Sequence, residues 1–130
     1  MEGPLRERKI ALNLSVVPAG MRLSADEGLI EQVLINLVKN SIEALEDAVK
    51  PTIEINARID PVGRPLIEVA DNGKGIPEGD MEKIFIPFFT TKSDGSGVGL
   101  SLCRRIMRLH GGSISPSSSP GERTVFGLRF

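Results

Sequence analysis

Between Ser24 and Pro51 the chain carries one long apolar stripe at helical spacing. Leu29, Ile30, Val33, Leu34, Leu37, Val38 and Leu45, with the small Ala44, recur at three- and four-residue steps. The pattern predicts a helix from an N-cap at Ser24 or Asp26 to about Val49, ended by Pro51. A helix with a single apolar face needs a second layer to bury it. The flanking segments offer one, because Ile10, Leu12, Leu14 and Val16 alternate with polar or small residues before it. Ile53, Ile55, Ala57 and Ile59 do the same after it, which is the signature of half-buried strands. Pro18-Ala19-Gly20 turns the chain in between, with room for brief pairing at Met21–Leu23.

The run from Thr52 turns at Asp60-Pro61-Val62-Gly63 and returns through Leu66 to Ala70, an antiparallel hairpin. One short helical turn is expected around Met81–Ile84. A second amphipathic helix is expected from about Gly97 to Leu109, stopped by Gly111. The end reads as strands near Ser113-Ile114 and through Phe126, Leu128 and Phe130, joined by a Ser/Pro-rich loop at 115–121. These elements specify an α+β domain, a mainly antiparallel sheet covered by helices on one face.

At 130 residues the chain is one ordinary domain, with no internal repeat. A net charge of -1 gives no basic field for nucleic acid or an anionic membrane. No apolar stretch approaches the ~20 residues of a membrane helix. The charged start, Met1 to Lys9, does not read as a signal peptide, and one cysteine, Cys103, fits a reducing, cytoplasmic setting.

A segment of about 25 residues without regular pattern, from Asp71 to Ser96, is unusual inside a domain of this size and points to function. Six of the fourteen glycines lie between Asp71 and Gly99. Four stretches carry chemistry. In the long helix, Asn36, Asn40 and Glu43 fall on one narrow stripe, with Lys39 a step round from it. That stripe is either a solvated face or a ligand-facing one, where amide oxygens suit a hard cation such as Mg²⁺. In Asp71-Asn72-Gly73-Lys74-Gly75-Ile76-Pro77 a strand ends in an acid and two glycines. An Asn-Gly hairpin turn is one reading. The other is an acid that accepts from an amine beside a glycine-lined wall open to a flat ring such as adenine. Gly95-Ser96-Gly97-Val98-Gly99-Leu100 opens the second helix and suits phosphate, although it is neither a Walker A loop nor a dinucleotide fingerprint. Ile84-Phe85-Ile86-Pro87-Phe88-Phe89-Thr90-Thr91-Lys92 holds three of the five phenylalanines. It reads as a local anchor, or as the hinge of a lid whose Thr91 and Lys92 reach phosphates.

Taken in order, the four stretches resemble the ATP-binding catalytic domain of bacterial sensor histidine kinases. That domain belongs to the GHKL group, which also holds gyrase, Hsp90, MutL and the anti-sigma serine kinases. Gln32 to Ala44 looks like the N box, Asp71 to Gly75 the G1 box, Phe85 to Phe89 the F box and Gly95 to Leu102 the G2 box. His110-Gly111-Gly112 and Gly121 to Phe126 also resemble family runs, and the likeness spans about Ile10 to Phe130. The Lys-Asn-Ser-Ile-Glu-Ala and Phe-Phe-Thr-Thr-Lys runs look most like the nitrogen-regulation branch.

The resemblance implies a two-layer α/β sandwich that binds ATP beneath a flexible lid at about 77–96, the whole of 1–130 forming one catalytic domain. By that likeness Asn40, with Asn36 nearby, would hold Mg²⁺, and Asp71 would recognise the adenine amine. Gly73, Gly75, Ile76, Gly95, Gly97, Val98, Gly99 and Leu100 would shape the pocket. Lys39, Glu43, Thr91 and Lys92 would lie at the nucleotide, and Thr124 would support the adenine end.

Within the group, the hydrolytic clamps and serine kinases carry a glutamate four residues before the metal-binding asparagine. Here that position is Asn36, which cannot act as a base. The likeness therefore implies slow hydrolysis and transfer to a histidine on a separate dimerisation domain, and through it to a response regulator. An ATP-gated conformational module and an anti-sigma-type serine kinase are the alternatives. His110, placed at a helix end before two glycines, is read as structural rather than as the phosphoacceptor. The phosphoacceptor, the sensor and any membrane spans are then expected to lie outside this chain, which is either the cytoplasmic part of a longer sensor kinase or the partner of a separate one, and the isolated domain to be a monomer. Cys103 is read as a packed helix residue. Arg104, Arg105 and Arg108 are read as a solvated face, with docking to the histidine-bearing helices as the alternative.

Overall fold

In a computed structural model that describes residues 9–18, 25–87, 99–119 and 123–130, the alternating runs assemble into one five-stranded sheet. The strands are β1 (Ala11–Val17), β2 (Thr52–Ile59), β3 (Pro65–Asp71), β4 (Ser113–Ser119) and β5 (Arg123–Arg129), in spatial order β1-β2-β3-β5-β4. β1 runs parallel to β2 and every other pairing is antiparallel. The parallel pair brackets helix α1 (Glu27–Ala44), and helix α2 (Gly99–Leu109) leads into β4. Two single 3₁₀ turns, Glu78–Asp80 and Lys83–Phe85, stand where one helical turn was expected. Met21–Leu23, Gly97 and Val98 lie outside the described residues.

Both helices cover one face of the sheet. Val33, Leu37 and Val38 of α1 and Cys103, Ile106 and Met107 of α2 pack with Ile53, Ile67, Val69, Ile114, Phe126 and Leu128. The opposite face carries Glu54, Asn56, Arg58, Glu68 and Arg129, with Arg58 paired to Glu68 across β2 and β3. This is the expected α+β two-layer arrangement.

Asp26 is the N-cap of α1, its carboxylate accepting from the Leu29 amide at 3.0 Å. The helix stops at Ala44, short of the expected Val49. The Ala44 carbonyl accepts from the Lys74 amide at 3.2 Å, so the loop after β3 takes a bond the next helical turn would have used. Leu45 still enters the core from outside the helix.

Two edges depart from the sequence reading. β1 is an edge strand whose Leu14 and Val16 stay exposed, because α1 covers only its inner neighbours. β4 runs on to Ser119 through most of the segment read as a loop; as an edge strand it tolerates Pro116 and a row of serines.

Candidate functional site

The Asp60 carboxylate closes the β2–β3 turn, accepting from the amides of Val62 at 3.0 Å and Arg64 at 2.9 Å. That turn fixes the register that puts Asp71 at the end of β3, between Ile53 of β2 and Thr124 of β5. Asp71 and Thr124 are both buried, on the sheet face that the helices cover.

Asp71 Oδ1 accepts from the Gly73 amide at 2.9 Å, curling the chain back on itself. A Cβ on Gly73 would stand 2.4 Å from the Ala44 carbonyl oxygen, so glycine is demanded there by the close approach of α1. Asn72 does not form a hairpin turn. Its side chain accepts from the Thr52 amide at 2.8 Å and donates to the Lys50 carbonyl at 2.8 Å, tying the loop to the start of β2. Gly75 takes the left-handed conformation at φ 78°. The next amide, Ile76, donates to Ser118 Oγ of β4 at 2.8 Å. A cavity of about 190 Å³ lies where this loop meets the end of α1, lined by Glu43, Asp47, Gly73 and Lys74 among others.

The asparagine stripe of α1 meets the start of α2. A Cβ on Gly99 would lie 3.6 Å from Asn36 Oδ1, so the first residue of α2 sits directly beside the asparagine stripe of α1. Asn36 Nδ2 is buried without a hydrogen-bond partner. Ser41 Oγ shares that condition but sits on the Leu37 side of α1, inside the core. Asn40 is half-buried one turn after Asn36, while Lys39 and Glu43 are exposed. Leu100 is half-buried and packs against the core from the first turn of α2. Thr91, Lys92, Gly95, Gly97 and Val98, with Phe88, Phe89 and most of the expected lid, lie outside the described residues.

The remaining residues singled out in the sequence have structural roles. Phe85 is buried as an anchor, with the Arg104 guanidinium 5.0 Å from its ring centroid, so one of the three arginines is not merely solvated. His110 accepts from the Asp26 amide at Nε2, 3.0 Å, and its Nδ1 contacts the Ile106 carbonyl at 2.8 Å. With both nitrogens engaged, it clips the end of α2 to the start of α1. Cys103 is fully buried, and burial pushes its thiol up to about 11, the neighbouring Asn36 side chain opposing the shift. The sequence reading missed Ser118, which lay in its presumed loop. Its signal was the alternation Ile114, Pro116, Ser118 just before the Pro120-Gly121 pair.

Among the described residues no three His, Cys, Asp or Glu side chains gather as a metal site. The amide oxygens of Asn36 and Asn40, one turn apart, are neutral oxygen donors that suit a hard cation sharing its shell with phosphate and water. The residues present therefore fit Mg²⁺. No helix among the described residues is long and apolar enough to cross a membrane.

The profile of the histidine kinase-, DNA gyrase B- and HSP90-like ATPases matches residues 25–130. The sensor histidine kinase ZraS of Klebsiella oxytoca is 38% identical over 119 residues, covering 92% of this chain and 25% of its own length. The C4-dicarboxylate transport sensor protein DctS of Rhodobacter capsulatus is 38% identical over 122 residues, covering 93% and 19%. The chain thus spans a quarter or less of these relatives. Among solved structures, the nucleotide-free catalytic domain of histidine kinase ThkA superposes with a TM-score of 0.86 at 38% identity, over 99% of this chain and 83% of that one. Full-length ShkA in complex with AMPPNP gives 0.86 at 26% identity, over 99% and 27%. The chain belongs to the histidine kinase-, DNA gyrase B- and HSP90-like ATPase family, as a catalytic domain of the sensor histidine kinase kind.

Proposed function

We propose that this domain binds Mg·ATP between α1, the start of α2 and the ends of β3 and β5, and presents the γ-phosphoryl group to a histidine on a separate dimerisation domain. The observation that carries this is the convergence of three sequence-distant boxes. Asn36 abuts Gly99, and the Asp71 loop abuts the end of the same helix at Ala44. The nucleotide analogue bound by the similar ShkA supports the ligand class.

In this reading Asp71 accepts from the adenine amine, with Gly73, Gly75 and Ile76 as the wall and Thr124 beside it. Gly95, Gly97, Val98, Gly99 and Leu100 form the phosphate-side rim, where the amides opening α2 meet anionic oxygens. Asn40, with Asn36, would hold Mg²⁺; Lys39, Thr91 and Lys92 lie around the phosphates, and Glu43 lies elsewhere at the nucleotide. The bound cation neutralises phosphate charge, and this chain's residues position the nucleotide, as phosphoryl transfer requires. Asn36 offers no base, so water is a poor nucleophile here and the phosphoryl group awaits a histidine.

Residues 1–130 then act as one catalytic unit of a longer kinase, with the phosphoacceptor helices and sensor elsewhere and a response regulator as the eventual recipient. The unit works in the cytoplasm, where ATP is, and is a monomer by itself. It needs neither nucleic acid nor membrane contact.

Two measurements test the reading. Titration calorimetry of ADP, with and without Mg²⁺, should show binding that Asp71→Ala weakens by about 100-fold. Labelled ATP incubated with the domain and a histidine-bearing helical hairpin should label the hairpin in an acid-labile bond. Transfer to a serine substrate, or nucleotide binding with transfer to nothing, would overturn the assignment.

A further inference from the structure

Ser118 joins the two halves of the adenine end. It lies opposite Thr124 in the β4–β5 ladder, and Thr124 lies opposite Asp71 in the β5–β3 ladder. Its hydroxyl has one proton and two lone pairs. The proton goes to the Arg123 carbonyl, at 2.9 Å. One lone pair accepts from the Ile76 amide, at 2.8 Å. The remaining contact, 3.3 Å to Thr124 Oγ1, therefore runs with Thr124 as the donor.

That assignment fixes the character of Thr124. Its own proton is spent on Ser118, so it can present only lone pairs to whatever lies beside Asp71. A carboxylate and an acceptor-only hydroxyl stand side by side, both buried. At the position-6 substituent such a pair favours an exocyclic amine, whose two N–H groups can meet both acceptors, and disfavours a carbonyl.

We propose that Ser118 is a positioning residue that sets the purine specificity of this site. It withdraws the Thr124 proton from the pocket and pins the Gly75-Ile76 wall to the β4–β5 hairpin. The ligand class selected is a nucleotide with an exocyclic amine at position 6 of the purine, over its 6-oxo counterpart. The inference rests on the nucleotide reading given above and adds to it the residue that orients Thr124.

The test is calorimetric titration of ADP and of inosine diphosphate, which replaces the amine with a carbonyl, into the wild-type domain, Ser118→Ala and Ser118→Thr. The wild type should prefer ADP. Ser118→Ala releases the Thr124 proton, so the preference should narrow by about three- to tenfold, the worth of one neutral hydrogen bond. Ser118→Thr keeps the hydroxyl and should restore it. Equal weakening of both ligands by Ser118→Ala would assign Ser118 a merely structural role and overturn the proposal, as would no change in either. If Ser118→Ala does not fold, Ser118→Cys keeps an atom in place but accepts poorly, and should narrow the preference the same way. A folded wild type that binds neither ligand would instead sink the nucleotide reading itself, an outcome distinct from the other two.

Discussion

The two ends of the proposed cleft are built differently. At the adenine end the protein has partnered its own groups: Asp71 accepts from Gly73, Ser118 bonds Ile76, Arg123 and Thr124, and Asn72 bridges Thr52 and Lys50. At the phosphate end Asn36 is half-buried with its Nδ2 atom buried and unpartnered, and a Cβ on Gly99 would come no closer to it than van der Waals contact. One end is preorganised for a flat ring of fixed shape. The other carries a buried N–H donor whose desolvation cost a phosphate oxygen would relieve by accepting from it.

The sharpest way to break this contrast is at Asp71. Asp71→Ala removes a charged acceptor and leaves the Gly73 amide unpaired, so ADP affinity should fall by about 100-fold, measured by calorimetry. A loss under tenfold would show that the adenine end does not dominate recognition. A paired test of rigidity uses the glycines. Gly73→Ala drives a Cβ into the Ala44 carbonyl at 2.4 Å and should cost about 2 kcal/mol of unfolding free energy in urea. Gly99→Ala meets nothing nearer than 3.6 Å among the described residues and should change stability by less than about 0.5 kcal/mol. Equal costs at the two positions would erase the distinction between a filled end and an open one.

Asn36→Leu addresses the open end itself. The substitution replaces a half-buried amide, whose Nδ2 atom is buried without a hydrogen-bond partner, with an apolar group of similar size. The apo domain should gain about 1 kcal/mol while Mg·ADP affinity drops. Stability and binding moving in opposite directions is the mark of a group kept for its ligand. If Asn36→Leu destabilised the apo domain, the amide would be serving the fold, and the contrast would fail.

What the sequence revealed follows the same division. The stripe from Leu29 to Val38, the Asp60–Gly63 turn and the acid at Asp71 were legible because each is set by local spacing. The end of α1 was not, because the Lys74 amide that takes the Ala44 carbonyl is thirty residues away in the chain. β4 was hidden by serines and a proline with poor strand propensity, which pairing with β5 overrides. Ser118 went unread for that reason, since the alternation Ile114, Pro116, Ser118 carries a role only once β4 is recognised as a strand. The exposure of Leu14 and Val16 was also beyond period-2 reading, which finds a strand but not how far the helices extend over it.

Cys103 gives the smallest effect and the finest probe of the region behind Asn36. Its thiol is fully buried, bonded to the Val33 carbonyl at 3.7 Å, and pushed up to about 11 from a reference of 9.0, first by burial. The raised value means the folded state favours the neutral thiol. Its contribution to stability is complete below pH 9 and declines as pH rises toward 11. The urea midpoint of the wild type should therefore fall between pH 9 and 11 more steeply than that of Cys103→Ala, with no difference in slope at pH 7. Native alkylation by iodoacetamide at pH 8 should be slow with or without Mg·ADP, because the ligand meets Asn36 and not the thiol behind it. Rapid alkylation that Mg·ADP suppresses would mean instead that the phosphate end opens as far as Cys103, and that α1 and α2 part there before nucleotide binds.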